Sequence, residues 1–483
     1  MAIFKKNVLK VSDNKRTRAA ELTLRESIYP LCLVTILFFL WGFSYGLLDT
    51  LNKHFQETLG ITRSRSSGLQ AAYFGAYPLA SLGHANWLLR HYGYKVVVFI
   101  WGLVLYGVGS LIAWPCILHR SFGGFCAAIF IIGNGLGSLE TAANPYLTVC
   151  GPPKYSEMRI NIAQAFNGIG TVVAPVLGSY VFFKNTEDNV DALKNVQWVY
   201  LAIAVFVFLL AVVFYFSPIP EITDADMAFQ AQETHAGTDV QPFSKQYRLF
   251  HATFAQFCYT GAQVAIAGAF INYVTETRGN TDSATGARFL AGAQGVFAFG
   301  RFAGSALMKF VKPRWVFLVF MTMCIVFIAP SITQRGNTGM SMLYIVLFFE
   351  SIIFPTIVAL GMRGLGKYSK RGSGFIVGGV SGGAVVPVLL FVASDAQGQP
   401  DLARGHAPTA IAMAVPLAFF VAAWSYPICV NFVPAYRDVA DKFHTAEIGI
   451  VHPSSTDEEN QGGVLGKDAA PTQTETLGPE RGV

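Results

Sequence analysis

Charge is scarce in this chain. Only 13% of its 483 residues are Asp, Glu, Lys or Arg, where soluble domains carry about 25%. The shortage argues against an ordinary soluble globular protein, and the modest net charge of +6 gives no reason to expect a nucleic-acid partner. The seven cysteines (Cys32, Cys116, Cys126, Cys150, Cys258, Cys324 and Cys429) show no Cys-x-x-Cys spacing, so neither a metal site nor a disulfide framework is indicated. There is no Gly-x-x-x-x-Gly-Lys-Ser/Thr run, which speaks against an ATP-driven pump, and no His-Glu-x-x-His. No Gly-x-Gly-Asp run supports an aspartyl membrane protease. Residues 1–28 are polar and basic with no early apolar run, so they do not read as a cleaved signal peptide.

What is abundant is apolar. Hydrophobic residues make up 53% of the chain, 40 of them Phe, and the mean hydropathy is +0.44. About twelve segments are long enough to span a bilayer as helices: 30–52, 68–90, 94–115, 122–148, 159–183, 197–217, 248–274, 287–309, 315–333, 340–362, 372–394 and 407–432. One long polar interruption, Ser217 to Gln246, separates the sixth from the seventh. The expected organisation is a polar tail (1–28), a six-helix bundle (29–217), a linker (218–246), a second six-helix bundle (247–434) and a disordered tail (435–483). The fold class expected is therefore an all-α polytopic membrane protein. An even number of spans puts both ends on one side. The N-tail carries Lys5, Lys6, Lys10, Lys15, Arg16, Arg18 and Arg25, and two loops on the same side carry Lys309, Lys312, Arg314, Arg363, Lys367, Lys370 and Arg371. The positive-inside rule thus favours cytoplasmic termini.

A few polar residues stand inside the apolar runs. Asp49 lies in Phe38-Phe-Leu-Trp-Gly-Phe-Ser-Tyr-Gly-Leu-Leu-Asp49, and Glu140 lies in the Gly-rich run that ends at Pro145. A charge at the bilayer centre costs at least roughly 2.5–3.5 kcal/mol, so an acid kept there is by default functional. Desolvation raises a carboxyl pKa and a close cation lowers it, so either acid can be poised to exchange protons near neutral pH. Trp41, Tyr45 and Asp49 recur every four residues and share a helical face. An acceptor beside flat aromatic surface suits a sugar, although such rings also face lipid or neighbouring helices. Asn144 follows Glu140 by one turn. The fifth span carries Arg159, Asn161, Gln164 and Asn167, and the seventh carries Gln256, Tyr259 and Gln263 on one face. Amides both donate and accept, as a polyhydroxylated solute requires, but they also bridge helices. Arg301 and Glu350 are the charges of the second half. Arg301 is expected near a helix end as a structural or gating residue. Glu350 is either a third titratable site or a helix-bridging partner. His84 and His251 read as satisfied structural histidines.

Taken together, Leu139-Glu-Thr-Ala-Ala-Asn-Pro145, Arg159-Ile-Asn-Ile-Ala-Gln-Ala-Phe-Asn167 and Ala255-Gln-Phe-Cys-Tyr-Thr-Gly-Ala-Gln263 resemble the fucose:proton symporter branch of the major facilitator superfamily. Phe354-Pro-Thr-Ile357, Gly372-Ser-Gly-Phe-Ile-Val377 and Ser381-Gly-Gly-Ala384 extend the resemblance over nearly all of 30–432. It implies two six-helix bundles flanking a cavity, with alternating access by rocking of the halves. It also implies that Asp49 handles the proton, that Glu140 contacts the sugar and couples it, and that Asn167 lies in the same cavity. The chain departs from the bacterial carriers in two places. Gly42-Phe-Ser-Tyr-Gly-Leu-Leu48 replaces an Asn-rich stretch. Glu350 stands where those carriers lack an acid, and looks like a feature of fungal members.

The expected function is proton-coupled uptake of a monosaccharide such as L-fucose, glucose or galactose. Asp49 and Glu140 are the expected proton-coupling groups. Glu140, Asn144, Gln164, Asn167, Gln256, Tyr259, Gln263, Trp41 and Tyr45 are the expected substrate contacts, and Arg301 and Glu350 the gating or structural pair. No cofactor beyond the coupling proton is expected, and no enzymatic activity. The partners expected are the sugar and the bilayer around a monomer in the plasma membrane. Rival readings are a proton-driven exporter of a small metabolite and a non-transporting sugar sensor.

Overall fold

The computed structural model describes residues 22, 24–94, 99–151, 156–177, 189–223, 226, 242–365, 368–401 and 405–445. Most of the expected N-terminal tail, most of the linker and the tail beyond 445 lie outside them, and residues 24–28 of that tail already belong to the first helix. Twelve helical passes are present among the described residues. They are α1 (Leu24–Leu59), α2 (68–92), α3 (Ile100–Leu118), α4 (Phe122–Val149), α5 (Ser156–Leu177) and α6 (Asn189–Phe216) in the first half. The second half holds α7 (Tyr247–Thr277), α8 (Ser283–Leu307), α9 (Pro313–Ser331), α10 (336–362), α11 (369–396) and α12 (408–432). Ten of the twelve are long and apolar enough to cross a membrane. The two exceptions are α2, which is broken into pieces with a kink at Gly83, and the Gly- and Ala-rich α8. The passes alternate in direction, so the molecule has a near side, where α1 starts, and a far side, where it ends.

The halves are built alike. In each, the first and fifth helices meet with their backbones almost in contact, as small residues allow. A Cβ on Gly42 of α1 would run into the Asn167 carbonyl of α5. A Cβ on Gly382 of α11 would run into the Phe257 carbonyl of α7. The same close crossing in corresponding places is what two structural repeats predict.

Prolines open the helices at chosen points, because a proline cannot donate to the carbonyl four residues before it. Pro355 leaves the Ser351 carbonyl of α10 without its helical donor, and α10 breaks between Glu350 and Ile353. Arg301 Nε takes up that carbonyl at 3.1 Å, and the Tyr259 hydroxyl donates to the neighbouring Glu350 carbonyl at 2.6 Å. Pro145 likewise frees the Thr141 carbonyl of α4, which accepts from Ser373 Oγ of the other half at 2.9 Å.

The chain does not turn to disordered tail at 435. A thirteenth helix, α13 (Pro434–Thr445), lies on the near side of the second half. Asp441 accepts from Arg314 at 2.9 Å and from Lys312 at 3.0 Å. The Arg363 guanidinium donates to the Ala440 carbonyl, and the Tyr436 hydroxyl bonds His251 at 3.1 Å. Sequence reading missed α13 because its apolar face is short and its composition polar. The first linker residues are also docked: Tyr146 donates to the Pro220 carbonyl, and Glu221 accepts from the Tyr94 amide.

Candidate functional site

A cavity lies between the halves, the kind of place between packed helices where small-molecule sites form. From the first half, Trp41, Tyr45, Phe74, Gln164, Asn167 and Thr171 face it. From the second come Thr260, Gln263, Val264, Phe297, Arg301, Phe354 and Val380. Trp41 and Phe354 meet edge-on across the divide, ring centroids 5.6 Å apart. The wall is thus mostly flat apolar surface with convergent amides and one guanidinium.

Arg301 is the most connected of these groups. It lies six residues before the end of α8 and is 3% exposed. Its Nη1 donates to the Gln164 carbonyl, to Gln164 Oε1 at 2.8 Å and to Asn167 Oδ1 at 2.9 Å. Its Cζ sits 4.5 Å from the centre of the Phe297 ring. One side chain therefore holds α5 of the first half, its own helix α8 and the break in α10 together.

The two acids flank this cavity. Asp49 lies two turns beyond Trp41 toward the far side and is 1% exposed. Tyr45 and Gln70 stand beside its carboxyl without meeting hydrogen-bond geometry, and both of its oxygens are unbonded. Glu140 is 3% exposed and lines a smaller apolar pocket with Leu37, Phe38, Leu136, Leu139 and Ala143. Trp41 forms the wall between that pocket and the cavity. Asn144 donates to Glu140 Oε1 at 3.4 Å, and Glu140 Oε2 is unbonded.

The halves are joined on both sides of the cavity. On the far side Arg63 pairs with Glu276 at 3.0 Å and with Asp395 at 3.4 Å. There Asn52 also donates to the Gly268 carbonyl, and Asn272 donates to Gln56. On the near side Asn86 donates to the Lys370 carbonyl at 3.0 Å, and Ser373 reaches Thr141.

A model of the Major Facilitator Superfamily matches residues 34–389. The chain belongs to this superfamily. Among curated members it is 33% identical over 399 residues to the L-fucose-proton symporter of Escherichia coli (strain K12), an alignment covering 77% of this chain and 89% of that one. It is 31% identical over 377 residues to the glucose/galactose transporter of Brucella abortus biovar 1 (strain 9-941), with the same coverages. Among solved structures it is similar to the facilitator FucP in the outward conformation, with a TM-score of 0.64 and 31% identity, covering 83% of this chain and 98% of that one. This facilitator is thus a twelve-helix membrane transporter, not an enzyme.

The structure brings together Trp41, Tyr45, Gln164, Asn167 and Gln263 of the expected substrate contacts. It does not bring Tyr259, Gln256 or Asn144 to the cavity of this facilitator. Tyr259 is fully buried inside the second half, bonded to α10 and stacked on Phe420. At about 100° per residue, the cavity face of α7 centres on Thr260, Gln263 and Val264, and Tyr259 lies roughly 90° round from it. Gln256 is buried against the α11 break and donates to Thr260 at 3.2 Å. Glu350 is 1% exposed at the α10 break and does not line the cavity. Arg159 bonds the Leu147 and Thr148 carbonyls and caps α4. Both histidines are structural: His84 bonds Asn134 and Trp101, and His251 bonds Ser425 and Tyr436. Phe74, Thr171, Phe297 and Phe354 were missed as cavity residues, because ordinary Phe and Thr in an apolar run carry no signal until helical phase is known.

Proposed function

We propose that this facilitator couples inward proton movement to uptake of a monosaccharide. The observation that carries the reading is the pair of buried carboxyls, Asp49 and Glu140, flanking an aromatic- and amide-lined cavity between two halves. Relatives named as L-fucose-proton symporter and glucose/galactose transporter support the substrate class. Asp49 carries the proton. Glu140 couples substrate to it, contacting the sugar once Trp41 moves aside. Gln164, Asn167 and Gln263 meet sugar hydroxyls, while Trp41 and Phe354 meet the apolar ring face. Links between the halves on both sides of the cavity mark a closed intermediate between the two openings of an alternating-access cycle. In the proposed orientation the bundles are 29–217 and 247–434, the near side is cytoplasmic, and the membrane is the plasma membrane.

Uptake of labelled L-fucose, glucose and galactose into a transporter-deficient host, with and without an imposed pH gradient, tests this reading. At least one sugar should accumulate only with the gradient. Asp49→Asn should abolish that accumulation while leaving exchange of labelled for unlabelled sugar between equal pools at least partly intact. Accumulation by Asp49→Asn at the wild-type level would remove the proton role from Asp49.

A further inference from the structure

The second half keeps an acid that the cavity does not use. Glu350 is 1% exposed at the α10 break. Its Oε1 has no hydrogen-bond partner, and no described ion pair includes the residue. A buried carboxylate left without partners is costly. A carboxyl kept protonated for structure alone would donate that proton to a fixed acceptor. Among the described residues Glu350 has neither a cation nor such an acceptor.

The described titratable and charged groups that face it come from four helices. The Tyr259 hydroxyl of α7 donates to the Glu350 backbone carbonyl at 2.6 Å, and the Cys324 thiol of α9 donates to the Val346 carbonyl at 3.9 Å. Arg301 of α8 bonds the Ser351 carbonyl, not the carboxyl. The fourth group is the Tyr45 hydroxyl of α1, which is buried and unbonded. It stands beside Asp49 and within electrostatic range of Glu350. Asp49 and Tyr45 thus belong to the first half and Glu350 to the second. A hydroxyl both accepts and donates, so a phenol between two carboxyls can pass a proton on without keeping a charge. Phe354, one turn beyond Glu350, faces the cavity, so a sugar against that ring touches the helix segment next to the break.

We propose that Glu350 is a second station for the coupling proton, which it receives from Asp49 through the Tyr45 hydroxyl. This rests on the proton-coupled uptake reading above and deepens it. In the step, the protonated Asp49 carboxyl gives its proton to the Tyr45 oxygen, and the hydrogen of Tyr45 goes to the Glu350 carboxylate. One proton changes halves, Tyr45 is left as it began, and Asp49 becomes a carboxylate again. Donor and acceptor sit on opposite halves, so the handover belongs to the closed intermediate and ties proton movement to the rocking of the halves.

Labelled-sugar uptake in the transporter-deficient host tests it, with whichever of L-fucose, glucose and galactose the wild type accumulates. Glu350→Gln resembles the protonated acid but cannot release a proton. Its accumulation under a pH gradient should fall to the level of the gradient-free control, while exchange between equal sugar pools persists. Glu350→Asp, which keeps an acid, should recover part of the accumulation. Tyr45→Phe should also lose accumulation and keep exchange when sugar is raised to saturation. Thermal unfolding of each purified variant reports whether it is folded. Accumulation by folded Glu350→Gln at the wild-type level overturns the proposal and leaves the uptake reading standing. A loss of exchange as complete as the loss of accumulation also overturns it, because it marks a structural residue. If Glu350→Gln does not fold, Tyr45→Phe carries the test, and wild-type accumulation by that variant overturns the proposal. Accumulation of none of the three sugars by folded wild type defeats both readings.

Discussion

A carboxyl inside a membrane-spanning helix can be held by a cation, by a set of donors, or by a proton that comes and goes. Asp49 has neither of the first two among the described residues, and Glu140 has one amide donor at 3.4 Å. That is the environment a proton-coupling group needs. Both acids were legible in the sequence, because a lone charge in an apolar run needs no knowledge of packing to be noticed. Tyr259 was not. Its placement depends on which arc of α7 faces the other half, and three polar residues at helical spacing fix a stripe but not its heading. Arg301 was noticed as a structural or gating residue near its helix end, but its part in joining α5 and the α10 break was not legible, because Gln164, Asn167 and Ser351 lie far from it in sequence. Under the proposed role, Glu140→Ala removes a charged acceptor, and losing such a bond costs roughly 1.5–3 kcal/mol. At about 1.4 kcal/mol per tenfold, sugar affinity should fall at least tenfold. An unchanged dissociation constant by calorimetry would take Glu140 out of the substrate site.

At the scale of elements, the informative features are the interruptions. Pro145 and Pro355 were visible as residues, but the carbonyls they free are four positions upstream. Who takes them up is a matter of tertiary contact: Ser373 from the opposite half in one case, Arg301 in the other. The helix α13 was illegible for a different reason. It is fixed by basic side chains on other elements, Arg314, Lys312 and Arg363. Partial burial alone would raise the Asp441 carboxyl. The hydrogen bonds and charges of Arg314 and Lys312 outweigh that and hold it below its ordinary value of 3.8. A folded-state value below the unfolded one means that this contact stabilises docking above the unfolded pKa and is lost as pH falls through the folded one. Limited proteolysis after α12 should therefore be slow near neutral pH and speed up below about pH 4. Asp441→Asn should be cut faster than wild type at pH 7. Equal rates at that pH would show that Asp441 does not hold the helix down.

For the whole molecule, twelve passes and the halving at the linker followed from hydropathy and length, because a bilayer imposes one repeated dimension on every span. The contacts that join the halves did not, since they pair residues from loops and helix ends far apart in sequence. Arg63 is the hub of the far-side contacts, its side chain 13% exposed, and Glu276 is further anchored by Thr409. Breaking a buried pair by removing one partner costs about 3–5 kcal/mol, and partial exposure lowers that toward the value of a surface pair. Arg63→Ala should thus move the conformational balance toward far-side opening by about tenfold or more. A cysteine placed on the cavity wall should then react faster with a membrane-impermeant thiol reagent added on that side. No change in labelling rate would show that Arg63 is not part of the far closure.

The two closures differ in kind. On the far side Arg63 joins the halves through ion pairs to Glu276 and Asp395, and on the near side Asn86 and Ser373 join them through hydrogen bonds while the Lys370 ammonium sits 5.8 Å from the centre of the Tyr94 ring. Electrolyte weakens ion pairs of the Arg63 kind, because it screens their charges. The far closure is therefore built to feel ionic strength. Raising salt on the far side weakens the ion pairs of Arg63 that help keep that side shut. In sealed vesicles of known orientation, salt added to the far face would then change the rate of substrate exchange, with no change in substrate, proton gradient or protein.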